Sequence, residues 1–317
     1  MLESRPAQSA STIKTDVPHS PRSFRSLLPC LHGLVLTLPF LLAATPAQVQ
    51  AAGDLSLKSV AVLVVDQDTG EPIISKNADV VMPIASLTKL MTALVVLDAH
   101  PAMDEVLEIG NDDVDREKHT HSRLSVGTRL SRADMLLLAL MSSENRAAMS
   151  LSRAYPGGRP AFLAAMNAKA RALGMNSTHF ADSAGLSNDT QSTARDLLRL
   201  MNAADAQAVI RSDTTQAEGM VLVRGHEMTF VNTNRMVRNK RDWDIELQKT
   251  GFINEAGRCL VMRATTLNRT LSMIFLNSFG TLTRFADAAR VREQLVRQAA
   301  KQLRPPTTVA SGAKAAS

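Results

Sequence analysis

Residues 83–99 read PIASLTKLMTALVVLDA. Leu87, Leu90, Met91, Leu94, Val95 and Leu97 would cover most sides of a helix, so this helix is expected to be buried. Ser86 lies in its first turn. Lys89 follows one turn on and faces the same way. The bland reading is a helix-start serine beside a snorkelling lysine. The sharp reading is a nucleophile with its base, and a lysine on an otherwise apolar face favours it. Spacing alone does not decide, because Ser11-Thr12-Ile13-Lys14 repeats the S-x-x-K pattern in a segment with no such context.

Working outward, SVAVLVVDQDTGEPIISKN (59–77) reads as a β-hairpin, with a β-branched first strand and a turn at DQDTG. The polar stretch 111–128 reads as a solvated loop. It holds His119 and His121, but no third ligand lies nearby, so no metal site is expected. Ser131 with Asp134, and Thr193 with Asp196, are capping-box pairs ahead of apolar runs. Between them SSENR (142–146) interrupts the helical pattern, and Pro160 to Leu173 forms another helix closed by Gly174. Residues 86–208 are therefore mostly helical. The pattern then changes to strands: a hairpin over 219–234 around Arg224-Gly225, then 243–252, then a pair within 257–278. A helix over 282–303 follows, and 304–317 reads as a disordered tail. Strands at both ends and helices between predict an α+β fold, with one antiparallel sheet flanked by helices plus an all-helical lobe.

Composition narrows the function. The chain has 317 residues, 45% of them apolar, enough for a sizeable core. One Trp, one Tyr and nine Phe leave little for stacking on bases or sugars. The net charge is +6, and residues 1–51 hold four cations and two anions, so the remainder carries +4. That excess is too dispersed to argue for nucleic acid, and it suits an anionic polymer or a membrane surface nearby. Arg22 and Arg25 precede the apolar stretch 27–44, and VQA (49–51) offers a cleavage site before Ala52. Residues 1–51 thus read as an export signal, with 52–303 as the exported working domain. Pro29, His32 and Pro39 make that stretch a poor permanent span, so at most peripheral membrane association is expected. The exported chain keeps only Cys259, which reads as a small buried apolar residue.

Two further short patterns follow the first. Ser143-Glu144-Asn145 is S-x-N, in the break between helical segments. Lys249-Thr250-Gly251 is K-T-G, on a predicted strand. Singly, each has a bland explanation: loop residues for the second, an exposed edge strand for the third. Together, in this order and on these elements, they favour one site. Glu144, the variable position, reads as solvated. Ser183 and Ser187 in DSAGLSN read as loop structure flanking the site, and the Arg235–Arg241 run reads as a polar loop.

This set resembles the penicillin-binding proteins and serine β-lactamases. It is most similar to the small periplasmic D-alanyl-D-alanine endopeptidases of the penicillin-binding protein 7 group. PIASLTKLMTALVVLDA, LMSSENRAA, FADSAGLS with STARDL, and WDIELQKTGFINEAGRCLVM carry the likeness, which spans about residues 55–300. It implies a β-lactamase/transpeptidase-like fold and a serine hydrolase that cleaves peptidoglycan cross-links through a Ser86 acyl-enzyme, with no cofactor. The expected partners are peptidoglycan stem peptides, with β-lactam antibiotics as covalent inhibitors.

The chemistry fits those residue types. A serine hydroxyl needs a positioned base, and a lysine can serve if burial or a second cation lowers its pKa. Lys249 could be that cation. Ser143 could relay a proton between Lys89, Ser86 and the leaving amine. Asn145 could hold the substrate's peptide group, and Lys249 with Thr250 could take a carboxylate. Gly251 lets a substrate backbone approach closely. The resemblance implies an oxyanion hole from the backbone N–H groups of Ser86 and Phe252. Which of Lys89 and Ser143 deprotonates Ser86 stays open. So do D-alanyl-D-alanine carboxypeptidase action, β-lactamase action and a non-catalytic wall-binding scaffold. A chain ending soon after the last helix points away from larger carboxypeptidases. The absence of an E-x-x-x-N element after S-x-N points away from a class A β-lactamase.

Overall fold

The computed structural model describes residues 50–51, 55–239 and 243–302. The expected export signal and tail lie outside them, apart from Gln50 and Ala51. In chain order the strands are β1 Gln50–Ala51, β2 Ser59–Asp66, β3 Pro72–Lys76, β4 Met82–Pro83, β5 Val106–Glu108, β6 Arg129–Ser131, β7 Gln191–Ser192, β8 Glu218–Val223, β9 His226–Val231, β10 Asp244–Ile253, β11 Gly257–Thr266 and β12 Arg269–Ser278. The α-helices are α1 Lys89–Asp98, α2 Arg132–Met141, α3 Asn145–Arg153, α4 Gly158–Ala172, α5 Ala194–Asp205, α6 Ala208–Thr215, α7 Arg235–Arg238 and α8 Thr283–Gln302.

β1, β2, β3, β10, β11 and β12 build one sheet from the two ends of the described chain, in the order β1-β3-β2-β12-β11-β10. Neighbours are antiparallel except β1, which runs parallel to β3. Cleavage before Ala52 would remove β1. The 219–234 hairpin forms as expected, as β8 and β9, but it stands apart as its own two-stranded sheet.

The sheet strands read as nearly unbroken apolar runs because both faces are covered. Val62, Val64, Leu260, Met262, Met273 and Phe275 point to one core, with Ala288, Val291 and Leu295 of α8. Ala61, Leu63, Val261, Ile274 and Leu276 point to the other, with the helical lobe around α1. Successive residues along a strand alternate between faces, so the two cores interleave in sequence. Among the described residues no helix is long and apolar enough to cross a membrane.

Both predicted caps form. Ser131 Oγ accepts from Asp134 N at 3.0 Å, and Thr193 Oγ1 accepts from Asp196 N at 3.1 Å. These satisfy otherwise orphaned N–H groups and fix where α2 and α5 begin.

Candidate active site

The turn that carries Ser86 is tighter than an α-helix. Ala85–Thr88 is a 3₁₀ turn, and α1 begins only at Lys89. Ala85, the first residue of the turn, has φ +48°, in the left-handed region. That conformation costs free energy for a residue with a Cβ and is held by its surroundings. Ser86 is left half-buried at the mouth of a cleft, while Lys89 behind it is fully buried.

Lys89 Nζ has three oxygen partners: Ser86 Oγ at 2.8 Å, Asn145 Oδ1 at 2.7 Å and the Ala184 carbonyl at 2.7 Å. Burial pulls its pKa from the ordinary 10.5 to about 7, against the opposing charges of Asp182, Glu144 and Asp115. A neutral lysine has two N–H donors and one lone pair. The Asn145 and Ala184 oxygens can only accept, so they take both N–H groups. The lone pair is left for the Ser86 hydroxyl.

The Ala184 carbonyl is aimed by the loop before it. The Asp182 carboxylate accepts from the N–H groups of Leu186 at 3.1 Å and Ser187 at 2.9 Å, and from Thr190 Oγ1 at 2.9 Å. It also accepts from the N–H groups of Ala184 and Gly185. Gly185 has φ +78°, and a Cβ there would lie 1.9 Å from the Ala85 carbonyl oxygen. Only glycine lets this loop pass so close behind the Ser86 turn. Ser183 is buried in the same loop and donates to Ser152 Oγ at 2.9 Å, which agrees with its reading as structure.

The S-x-N residues sit where α2 ends and α3 begins. Ser143 takes φ +62°, breaking the helix and turning its hydroxyl into the cleft. Glu144 is not solvated as expected. It is buried and accepts from Ser122 Oγ at 2.7 Å and the Arg123 N–H at 3.3 Å. It therefore clamps the 111–128 loop against the helix break, a packing role that a variable motif position does not reveal. His119 and His121 are exposed on that loop.

K-T-G lies on β10, the last strand of the sheet, and Lys249 and Thr250 are both buried. Lys249 Nζ donates to Ser143 Oγ at 2.9 Å and to the Thr250 carbonyl at 3.0 Å. Burial, and next the charge of Lys89, hold its pKa well below the ordinary value. Ser143, expected to relay a proton between Lys89, Ser86 and the leaving amine, has its hydrogen bond with Lys249, because the helix break points it at the strand. A Cβ on Gly251 would lie 3.1 Å from Ser86 N, so the missing side chain lets β10 approach the Ser86 turn.

The cleft has a volume of about 370 Å3, lined by Ser86, Ser143, Asn145, Thr250, Gly251 and Phe252. All three motifs therefore meet in one place. Thr233, Arg258 and Arg284 also line it and were not foreseen. Thr233 Oγ1 is 2.6 Å from Thr250 Oγ1. Arg258 stacks on the exposed Phe252 ring at 4.4 Å. Burial, helped by Arg258, pushes Arg284 down to about 10, which still leaves it charged at neutral pH. Two guanidiniums beside a serine suit a substrate with a carboxylate near the reacting carbonyl. None of the three belongs to a short motif. Only the neighbourhood of Arg258 to K-T-G offered a signal.

Residues 47–280 match the family model described as D-alanyl-D-alanine carboxypeptidase. A D-alanyl-D-alanine endopeptidase of Pseudomonas aeruginosa is 48% identical over 277 residues, 86% of this chain and 89% of that protein. An Escherichia coli D-alanyl-D-alanine endopeptidase is 44% identical over 263 residues, 82% of this chain and 84% of the relative. Among solved structures, a Streptomyces DD-transpeptidase superposes with a TM-score of 0.69 at 27% identity, over 75% of this chain and 97% of that one. The fold, the convergence of the three motifs and these relatives agree: the chain belongs to the D-alanyl-D-alanine carboxypeptidase family of peptidases.

Proposed function

We infer that the protein is a serine acyl-transfer peptidase that opens D-alanyl cross-links in peptidoglycan. The observation that carries this reading is Lys89, buried, near neutral in pKa, and 2.8 Å from Ser86 Oγ. Unprotonated Lys89 takes the proton of the Ser86 hydroxyl as Oγ attacks the carbonyl carbon of a D-alanyl residue. The resulting oxyanion lies between the backbone N–H groups of Ser86 and Phe252. One such donor is typically worth about 3 kcal/mol of barrier lowering. The C–N bond then breaks and the amine leaves with a proton. Ser143, bonded to Lys249, is the donor best placed at the cleft to supply it. Water then adds to the Ser86 ester and gives up a proton that restores Ser143, the ester bond breaks, and Ser86 takes back the proton that Lys89 held.

Arg258 and Arg284 supply cationic groups for a carboxylate on the leaving side, in the same cleft as Thr250, which with Lys249 is expected to take one. Lys249 is committed to Ser143 inside the wall of the cleft. Thr250 shares its hydroxyl with Thr233. Asn145 faces the cleft, but its amide is bound at both ends within the protein, so it acts first on Lys89. A β-lactam presents a carbonyl and a carboxylate in the same relation and would acylate Ser86.

Both quoted relatives are named endopeptidases, which favours cross-link cleavage over removal of a terminal D-alanine. The expected leader places the work in the periplasm. The deciding assay digests two purified substrates: muropeptide dimers joined through D-alanyl–diaminopimelate, and pentapeptide monomers. Conversion of dimers to monomers is expected. Release of D-alanine from monomers with dimers untouched would make the protein a carboxypeptidase instead.

A further inference from the structure

Asn145 is committed at both ends of its amide. Oδ1 accepts from Lys89 Nζ at 2.7 Å, and Nδ2 donates to Thr120 Oγ1 at 2.9 Å. The two ends differ in kind, since one only accepts and the other only donates. Half a turn of the amide would set NH₂ against the N–H groups of Lys89. The choice between the two orientations is made at the far end, by Thr120.

Thr120 is itself held in one sense. Its hydroxyl donates to Asp115 Oδ2 at 2.6 Å, and its backbone N–H donates to the same oxygen at 2.9 Å. The N–H groups of Glu117 and Lys118 fill Asp115 Oδ1, both at 2.9 Å. Burial works to raise the Asp115 carboxyl, but these hydrogen bonds outweigh it and hold the pKa below the ordinary value. Asp115 is therefore an ionised acceptor with no proton to offer. It takes the Thr120 proton and leaves a hydroxyl lone pair for Asn145. The same segment is pinned to the opposite wall, where Lys118 Nζ bridges Glu255 Oε1 at 2.7 Å in the turn after β10.

We propose that Thr120 and Asp115 are positioning residues for acyl transfer, which fix the amide sense of Asn145 and so leave the Lys89 lone pair for Ser86. This rests on the reading of Ser86 as nucleophile and Lys89 as base. Neither Thr120 nor Asp115 touches the reacting atoms. Without the Thr120 oxygen, the Asn145 amide is free to turn. In the turned state Lys89 loses an acceptor and meets a donor.

The consequence has a sign. An ammonium that loses an acceptor gives up its proton more readily, so the Lys89 pKa falls. The charges facing Lys89 are Asp182, Glu144 and Asp115, with Lys249 as the second buried cation. Thr120→Val removes none of these charged groups: it takes one hydrogen bond from Asp115, which keeps its three N–H partners, and replaces a hydroxyl by a methyl of similar size. A moved pH profile in that variant reports the amide.

The test follows acylation by a fluorescent penicillin from pH 5.5 to 9, for wild type, T120V, T120S and S86A, with melting temperatures alongside. T120V is expected to acylate about 10–100-fold more slowly, the scale on which small misplacements of reacting groups are felt. Its ascending pH limb is expected to move to lower pH. T120S keeps the hydroxyl and is expected to stay close to wild type in rate and profile. If T120V does not fold, T120A takes its place with the same expectations. A T120V variant with the wild-type rate overturns the proposal. So does a slower one whose pH limb has not moved, and so does a loss that T120S shares. A wild type that does not acylate overturns the nucleophile reading itself. Wild-type acylation with S86A inert separates that case from failure of the positioning role alone.

Discussion

Lys249 Nζ donates to Ser143 Oγ at 2.9 Å, while Lys89 Nζ stands 2.8 Å from Ser86 Oγ. Two buried lysines thus serve two different serines of one cleft. The pairing assigns the two proton movements of acyl transfer to separate circuits, one for the nucleophile and one for the leaving amine.

Ser143→Ala separates the circuits. It leaves Lys89 and Ser86 intact and removes the side-chain acceptor of Lys249. Peptide turnover is expected to fall about 100-fold or more, the usual scale for losing a general acid. Penicillin acylation is expected to fall less, because opening a strained ring needs less help with the leaving nitrogen. Equal losses on both substrates, measured as peptide kcat and penicillin acylation rate, would contradict the division.

Gly185→Ala tests the loop that aims the Ala184 carbonyl. The position has φ +78°, and the added Cβ would lie 1.9 Å from the Ala85 carbonyl oxygen. A left-handed non-glycine residue costs about 1–3 kcal/mol, and overpacking costs about as much again. The variant is expected to lose about 3 kcal/mol in urea unfolding and most of its acylation rate, because the Ser86 turn must move. An unchanged urea midpoint would show that the close approach is not required.

Lys89 also sets a pH dependence of stability. Its pKa in the folded chain is about 7, below the ordinary 10.5. Between those values the unfolded chain binds more protons than the folded one. The contribution of this group to stability therefore rises with pH across that window. Below pH 7 the folded chain carries an ammonium in a dry site, and the penalty is at its fullest. Lys89→Met removes the titration. The melting temperature of K89M minus that of wild type is expected to decrease from pH 6 to pH 9. A constant difference would mean that Lys89 keeps an ordinary pKa.

Much of the molecule is legible in its sequence. The β-branched run at 60–65, the capping pairs at Ser131 and Thr193, and the apolar faces of residues 87–97 report local preferences that tertiary structure reinforces. The three motifs carry the core of the site for a similar reason, since each needs particular side chains at fixed spacing on one element. What stays hidden is set by contacts between elements. Glu144 is buried because a distant loop folds over it. Ser143 bonds to Lys249 rather than Lys89 because φ at one residue redirects its hydroxyl. Thr233 and Arg284 reach the cleft, and Thr120 reaches Asn145, from segments that carry none of the three motifs. Asp182 left a weak trace, because an aspartate three residues before Gly185 marks a tight loop, but its aim at Lys89 needs the fold.

The central claim is that Ser86 is the nucleophile that Lys89 makes reactive. The most direct measurement is the intact mass of the protein after brief exposure to penicillin, followed by peptide mapping. Wild type is expected to gain the mass of one penicillin on the peptide containing Ser86. S86A is expected to gain none, and K89M to gain it far more slowly. Adduct on any other residue, or an adduct that S86A forms as fast as wild type, would contradict the account.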